Sequence, residues 1–115
     1  MSYDLRIMVK VEGCDVYKQI ATPKYDSPTY NLRKMFVECM NWDYSQGERY
    51  KCSDIIENIN KGIKELRTNR NKYKVYNASN GWGTVNNAIE DLESLRDCIY
   101  EQAEEIQINC LYMSW

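Results

Sequence analysis

Among its 115 residues the sequence has no histidine, a single phenylalanine and two prolines. Without histidine there is no Ser-His-Asp or Cys-His catalytic set, no His-ligated zinc and no imidazole titrating near neutrality. The five cysteines, Cys14, Cys39, Cys52, Cys98 and Cys110, form no CxxC pair, which removes the zinc-ribbon and thioredoxin patterns. Their odd count and wide spacing fit reduced thiols used as small core residues. No DxD, HExxH or EF-hand pattern offers a metal site. No GxSxG or SxxK offers a serine nucleophile. An enzyme is therefore the poorest reading, and neither a cofactor nor a metal is expected.

Long apolar runs are also missing, and none approaches the roughly 20 residues of a membrane span. The opening Met1-Ser2-Tyr3-Asp4 lacks the charged and apolar regions of a signal peptide, so a cytoplasmic protein is expected. Excess positive charge is absent: 15 Lys and Arg stand against 17 Asp and Glu, for a net charge of -2. That balance argues against general nucleic-acid binding and against attachment to anionic membranes. The length fits one domain spanning residues 1–115, large enough to bury a core without staples.

What the sequence has in abundance is polar-tipped aromatic rings, 10 Tyr and 3 Trp. Eight of them fall in or beside three polar segments. Tyr25 and Tyr30 flank the loop that holds Pro23 and Pro28. Trp42, Tyr44 and Tyr50 lie in Asn41–Lys51, and Tyr73, Tyr76 and Trp82 lie in Asn69–Gly83. Arg49 and Lys51 adjoin Tyr50, and Arg70 precedes Tyr73. Flat rings stack on bases, and Arg or Lys pairs with phosphate. The same residues also build protein-binding hot spots, or simply pack loops onto a core.

Between these segments the periodicity is regular. Leu5, Ile7, Val9 and Val11 alternate with Arg6, Met8, Lys10 and Glu12, which predicts a half-buried strand. A turn at Gly13 then leads to an extended Val16–Ala21, completing a hairpin. Leu32, Met35, Phe36, Cys39 and Met40 mark one helical face. Ile55, Ile59, Ile63 and Leu66 mark a second, with Ser53 as its expected N-cap. A third helix starts after Thr84 and is expected to run to about Glu104. Its carboxylates Glu90, Asp91 and Glu93, and Glu101, Glu104 and Glu105, read as a solvated face. The charge-free Ile106–Trp115 predicts a final strand beside the first. The order β-β-α-α-α-β predicts an α+β fold, a small and mainly antiparallel sheet packed against two or three helices.

Asn80-Gly81-Trp82-Gly83-Thr84 holds a lone GxG before a helix. The glycines there suit a loop-to-helix turn, with Trp82 either plugging the core or stacking on an anion at the helix N-terminus.

The segments YDLRIMVKVEG, ATPKYDSPTYNLRKMF, NWDYSQGERYK, NGWGTVNNAIEDLESLR and CLYMSW resemble a family of small proteins from bacteriophage, prophage and gut Firmicutes genomes. The resemblance covers nearly the whole chain and carries no catalytic residues. It implies an accessory phage protein acting against host defence in the host cytoplasm. The leading expectation is a non-enzymatic sponge for a nucleotide immune signal. Trp42, Tyr44, Tyr50, Tyr76 and Trp82 would stack on bases, while Arg49, Lys51 and Arg70 would meet phosphates. A homo-oligomer is expected in that case, because a short chain encloses a pocket most easily at a subunit interface. The alternative is an anti-CRISPR-like inhibitor that contacts a host defence protein directly.

Overall fold

Alternation of apolar and polar side chains sets the first element, and the rest of the sheet is built on it. The computed structural model describes residues 4–41, 49–104 and 111–114. Strand β1 (Arg6–Lys10) pairs antiparallel with β2 (Tyr17–Ala21). The turn between them uses Gly13 at φ 84°, where a side chain would be strained. Strand β3 (Arg49–Lys51) and strand β4 (Leu111–Ser114) complete an antiparallel sheet in the order β2-β1-β4-β3. The final strand does lie beside the first. The sheet has a fourth strand because the end of the segment read as an irregular loop, Arg49–Lys51, pairs with β4. Three residues are too short to show a period of two.

The helices are α1 (Arg33–Met40), led by a 3-10 turn at Tyr30–Leu32, then α2 (Cys52–Thr68), the short α3 (Arg70–Tyr73) and α4 (Val85–Tyr100). The α+β expectation holds. Helix α2 is amphipathic: Ile55, Ile59, Ile63 and Leu66 are buried at helical spacing. Gly62 lets α1 and α4 come close to it, since a Cβ there would stand 2.6 Å from Met40 Cγ and 3.2 Å from Leu92 Cδ1. The core joins these helices to Leu5 and Ile7, with Val9, Ala21 and Tyr50 packed at its margin. The hairpin tip extends past this core, leaving Val11 and Val16 exposed.

Several boundaries differ from the expected ones. Lys51, not Ser53, holds the N-cap position of α2, and no side chain caps it. Asn69–Gly83 is not all loop. It contains α3 and a 3-10 turn at Lys74–Tyr76, anchored by Tyr73, which is 1% exposed and donates its hydroxyl to Glu65 Oε1 at 3.1 Å. Helix α4 stops at Tyr100, short of Glu104, so Ala103 lies beyond it and is exposed. Cys39, Cys52 and Cys98 are buried as expected, whereas Cys14 is exposed. Burial pushes the Cys39 and Cys52 thiols up to about 12. Cys110 and the first part of the expected last strand, 106–110, lie outside the described residues. Among the described residues no helix is long and apolar enough to cross a membrane.

Candidate ligand-binding face

The sheet has two unlike faces, and its register decides which residues share each one. Ile7 and Tyr50 both pair with Met113, so they occupy the inner row. Ile7 is fully buried and Tyr50 packs against the core. Side chains alternate along a strand, so Arg6, Met8 and Lys10 on β1 point outward, with Arg49 and Lys51 on β3. Gln19 and Tyr17 pair with Met8 and Lys10 and share that face. Arg6, Lys10 and Arg49 are exposed, while Met8, Tyr17 and Lys51 are half-buried.

The outer face is curved. On a flat sheet Arg49 and Tyr17 would stand at opposite corners, roughly 19 Å apart by ordinary strand dimensions. The Arg49 guanidinium nevertheless lies 4.2 Å from the centroid of the Tyr17 ring. Sheet twist lifts one diagonal pair of corners toward the same side, and this contact closes that diagonal. The contact bridges the outer face from one edge strand to the other. Asp15 pairs with Lys10 at 3.3 Å. No carboxylate among the described residues pairs with Arg6, Arg49 or Lys51, so the positive field centres on those three.

Negative charge collects elsewhere. Glu90, Glu93, Asp97 and Glu101 of α4 and its C-terminus line a groove of about 480 Å³ with Lys24 and Tyr25. Beside it, burial and then the Glu90 charge raise the Asp91 carboxyl to about 7. Among the described residues these α4 carboxylates line a groove that contains none of the outer-face cations, so the net charge of -2 does not by itself describe the field at the sheet.

The eight residues expected from sequence to form one site fall in separate places. Trp42 and Tyr44 lie outside the described residues. Arg49 and Lys51 share the outer sheet face, while Tyr50 between them turns inward to the core. Arg70 lines a groove of about 380 Å³ at the end of α2 with Arg67, Lys72 and Lys74. The cations there are largely engaged: Arg67 bonds Glu93, Lys72 lies 3.9 Å from Glu65, and Arg70 bonds Asn86 Oδ1. Tyr76 lines a different groove with Arg33 and Lys34 of α1.

Trp82 does not plug the core. It is 73% exposed, and among the described residues its hydrogen bonds run through its backbone: its N–H donates to Asn80 Oδ1 and its carbonyl accepts from Asn31 Nδ2. Gly81 and Gly83 take φ 78° and 115°, and a Cβ at Gly83 would meet Asn31 Cβ at 3.0 Å, so both glycines serve the turn. The N-terminus of α4 is already capped. Thr84 Oγ1 accepts from Asn87 N–H, Asn87 Oδ1 accepts from Thr84 N–H, and Asn77 Oδ1 accepts from Val85 N–H. An anion there would have to displace these oxygens, which removes the attraction of that helix end.

Arg6, Met8, Lys10 and Tyr17 were not among the expected site residues. Their signal was present in the alternation of β1, whose outward set carries two cations; the missing information was which strand would join them. Among the described residues no cluster of three or more Cys, Asp or Glu could hold a metal ion. No protein-family model, curated protein or solved structure matches this chain.

Proposed function

We propose that this chain is a non-enzymatic binding protein that captures a phosphate-bearing nucleotide on the outer face of its sheet. The observation that supports this best is the Arg49–Tyr17 contact across a face that also carries Arg6 and Lys51. Arg6, Arg49 and Lys51 offer charge to phosphate, and the Arg49–Tyr17 stack offers flat surfaces to a base. In this reading a ligand held there is released unchanged. In the phage setting implied by the sequence resemblance, such capture would sequester a nucleotide immune signal. Arg49 and Lys51 keep the phosphate role expected from sequence, and Tyr17 replaces the loop aromatics as the stacking ring.

The test is a thermal-shift screen against signalling nucleotides, with mass spectrometry of the ligand recovered after denaturation. One nucleotide class should raise the melting temperature and return intact. The double substitution Arg49→Glu and Lys51→Glu should abolish the shift, whereas Trp82→Ala should leave it unchanged. Loss of the shift in Trp82→Ala alone would move the site to the α4 loop and refute the sheet-face reading.

A further inference from the structure

Trp82 is the largest apolar side chain that the described residues leave exposed. Its turn is fixed from both sides. Ala78 N–H donates to the Gly83 carbonyl at 3.0 Å, and Gly81 N–H donates to the Ala78 carbonyl at 3.1 Å. Asn31 Nδ2 donates to the Trp82 carbonyl at 2.8 Å. The ring is therefore presented on an ordered turn, and a partner that meets it has little loop entropy to overcome.

Trp82 lines a cavity of about 310 Å³ with Ser27, Thr29, Asn87 and Asp91. Asn87 Oδ1 accepts from the N–H groups of Gly83 and Thr84, and Asp91 lies one helical turn further along the same face of α4. The ring and the carboxyl thus border one opening. Asp91 is half-buried, and no cation among the described residues pairs with it. Burial and the neighbouring Glu90 both disfavour its charge. A cation arriving from outside offsets both effects, and an indole face is the best aromatic partner for a cation.

We infer that this cavity receives the guanidinium of an arginine on a partner polypeptide, paired with the Asp91 carboxylate and stacked on the Trp82 ring. A guanidinium is planar and weakly hydrated, so it lies flat on a ring while its edge donates to a carboxylate. The cavity is at the small end of ligand pockets, which span roughly 300–1,000 Å³. One side chain fills it, and further affinity comes from the polypeptide that carries the side chain. Glu90 is exposed beside Asp91, so α4 offers a basic segment a second negative charge. The cations of the sheet face take no part, which makes this inference independent of the nucleotide reading.

The test is a nuclear magnetic resonance titration of the intact isotope-labelled protein with capped Gly-Gly-X-Gly-Gly peptides, X being arginine or its neutral isostere citrulline. Methylguanidinium serves as the free-cation probe. The arginine peptide should shift the Trp82 indole N–H and the Asp91 signals, and the citrulline peptide should bind at least about fivefold more weakly. Asp91→Asn and Trp82→Leu should each weaken the arginine peptide by about two- to fivefold. Trp82→Phe should lose less than Trp82→Leu, because the ring and not apolar bulk makes the contact. Melting temperatures of the three variants no lower than the wild type separate lost contact from lost fold. Equal binding of the arginine and citrulline peptides, or full binding by Asp91→Asn, would overturn the charge pairing. Full binding by Trp82→Leu would overturn the stack. Tighter binding of methylguanidinium than of the peptide would assign the cavity to a free small cation and overturn the polypeptide source. If the arginine peptide moves neither signal, the inference fails while the nucleotide reading stands.

Discussion

The guanidinium of Arg49, on one edge strand, stands 4.2 Å from the ring centroid of Tyr17, on the opposite edge strand. The contact spans the sheet without using its buried face, and it ties the hairpin to the strand that leads into α2. An exposed cation–π pair contributes about 0.5–1 kcal/mol. Arg49→Ala and Tyr17→Leu should each lower stability by about that amount, and their combination should cost less than the sum. A double-mutant cycle from urea unfolding checks the coupling.

Gly62 should resist substitution although it lies inside a helix. Alanine is favoured over glycine in a helix by about 1 kcal/mol. At this position, however, its Cβ would stand 2.6 Å from Met40 Cγ, with Leu92 Cδ1 and Cys39 Sγ close behind. Met40 and Cys39 are buried on α1, so relief requires repacking of the core. Gly62→Ala should destabilise the fold by about 1–3 kcal/mol net, read as a lower urea midpoint with an unchanged slope.

Asp91 gives stability a specific pH dependence. Its carboxyl is raised from 3.8 to about 7, by burial first and the Glu90 charge second. The folded state therefore holds this proton more tightly than the unfolded chain does. This contribution favours folding below about pH 4 and is lost as pH rises through about 7. Asp91→Asn should be more stable than the wild type at pH 8 by about 1 kcal/mol, and the difference should shrink toward pH 4. Paired melting curves across that range provide the measurement.

The cysteines should separate by exposure. Cys14 is exposed at the hairpin turn, whereas Cys39, Cys52 and Cys98 are buried and their thiols are pushed upward in pKa by desolvation. Brief treatment of the native protein with an alkylating reagent should label Cys14 and spare those three until denaturant is added. Peptide mapping of the alkylated cysteines reads the order directly.

Local patterns predicted the elements that local patterns govern. The alternation Leu5, Ile7, Val9 gave the first strand, and the stripe Ile55, Ile59, Ile63, Leu66 gave the buried side of α2. Thr84 was legible as a cap, and it forms a reciprocal pair with Asn87. Features that depend on distant partners were not legible. The strand at Arg49–Lys51 exists because β4 lies beside it, and α3 is anchored by the single buried ring of Tyr73. The loop aromatics suggested a common site because they share a composition. The fold instead turns Tyr50 inward, leaves Trp82 in solvent and places Tyr76 against α1. Register, which sequence alone does not fix for so short a strand, is what brings Arg49 and Lys51 onto one face with Arg6.

The most direct test of the sheet-face account is a nuclear magnetic resonance titration of the isotope-labelled protein with the nucleotide that gives the largest thermal shift. The account predicts perturbations concentrated at Arg6, Met8, Lys10, Tyr17, Arg49 and Lys51, with Trp82 and the start of α4 unmoved. Perturbations centred on Trp82–Thr84, or a spectrum unchanged at saturating nucleotide, would contradict it.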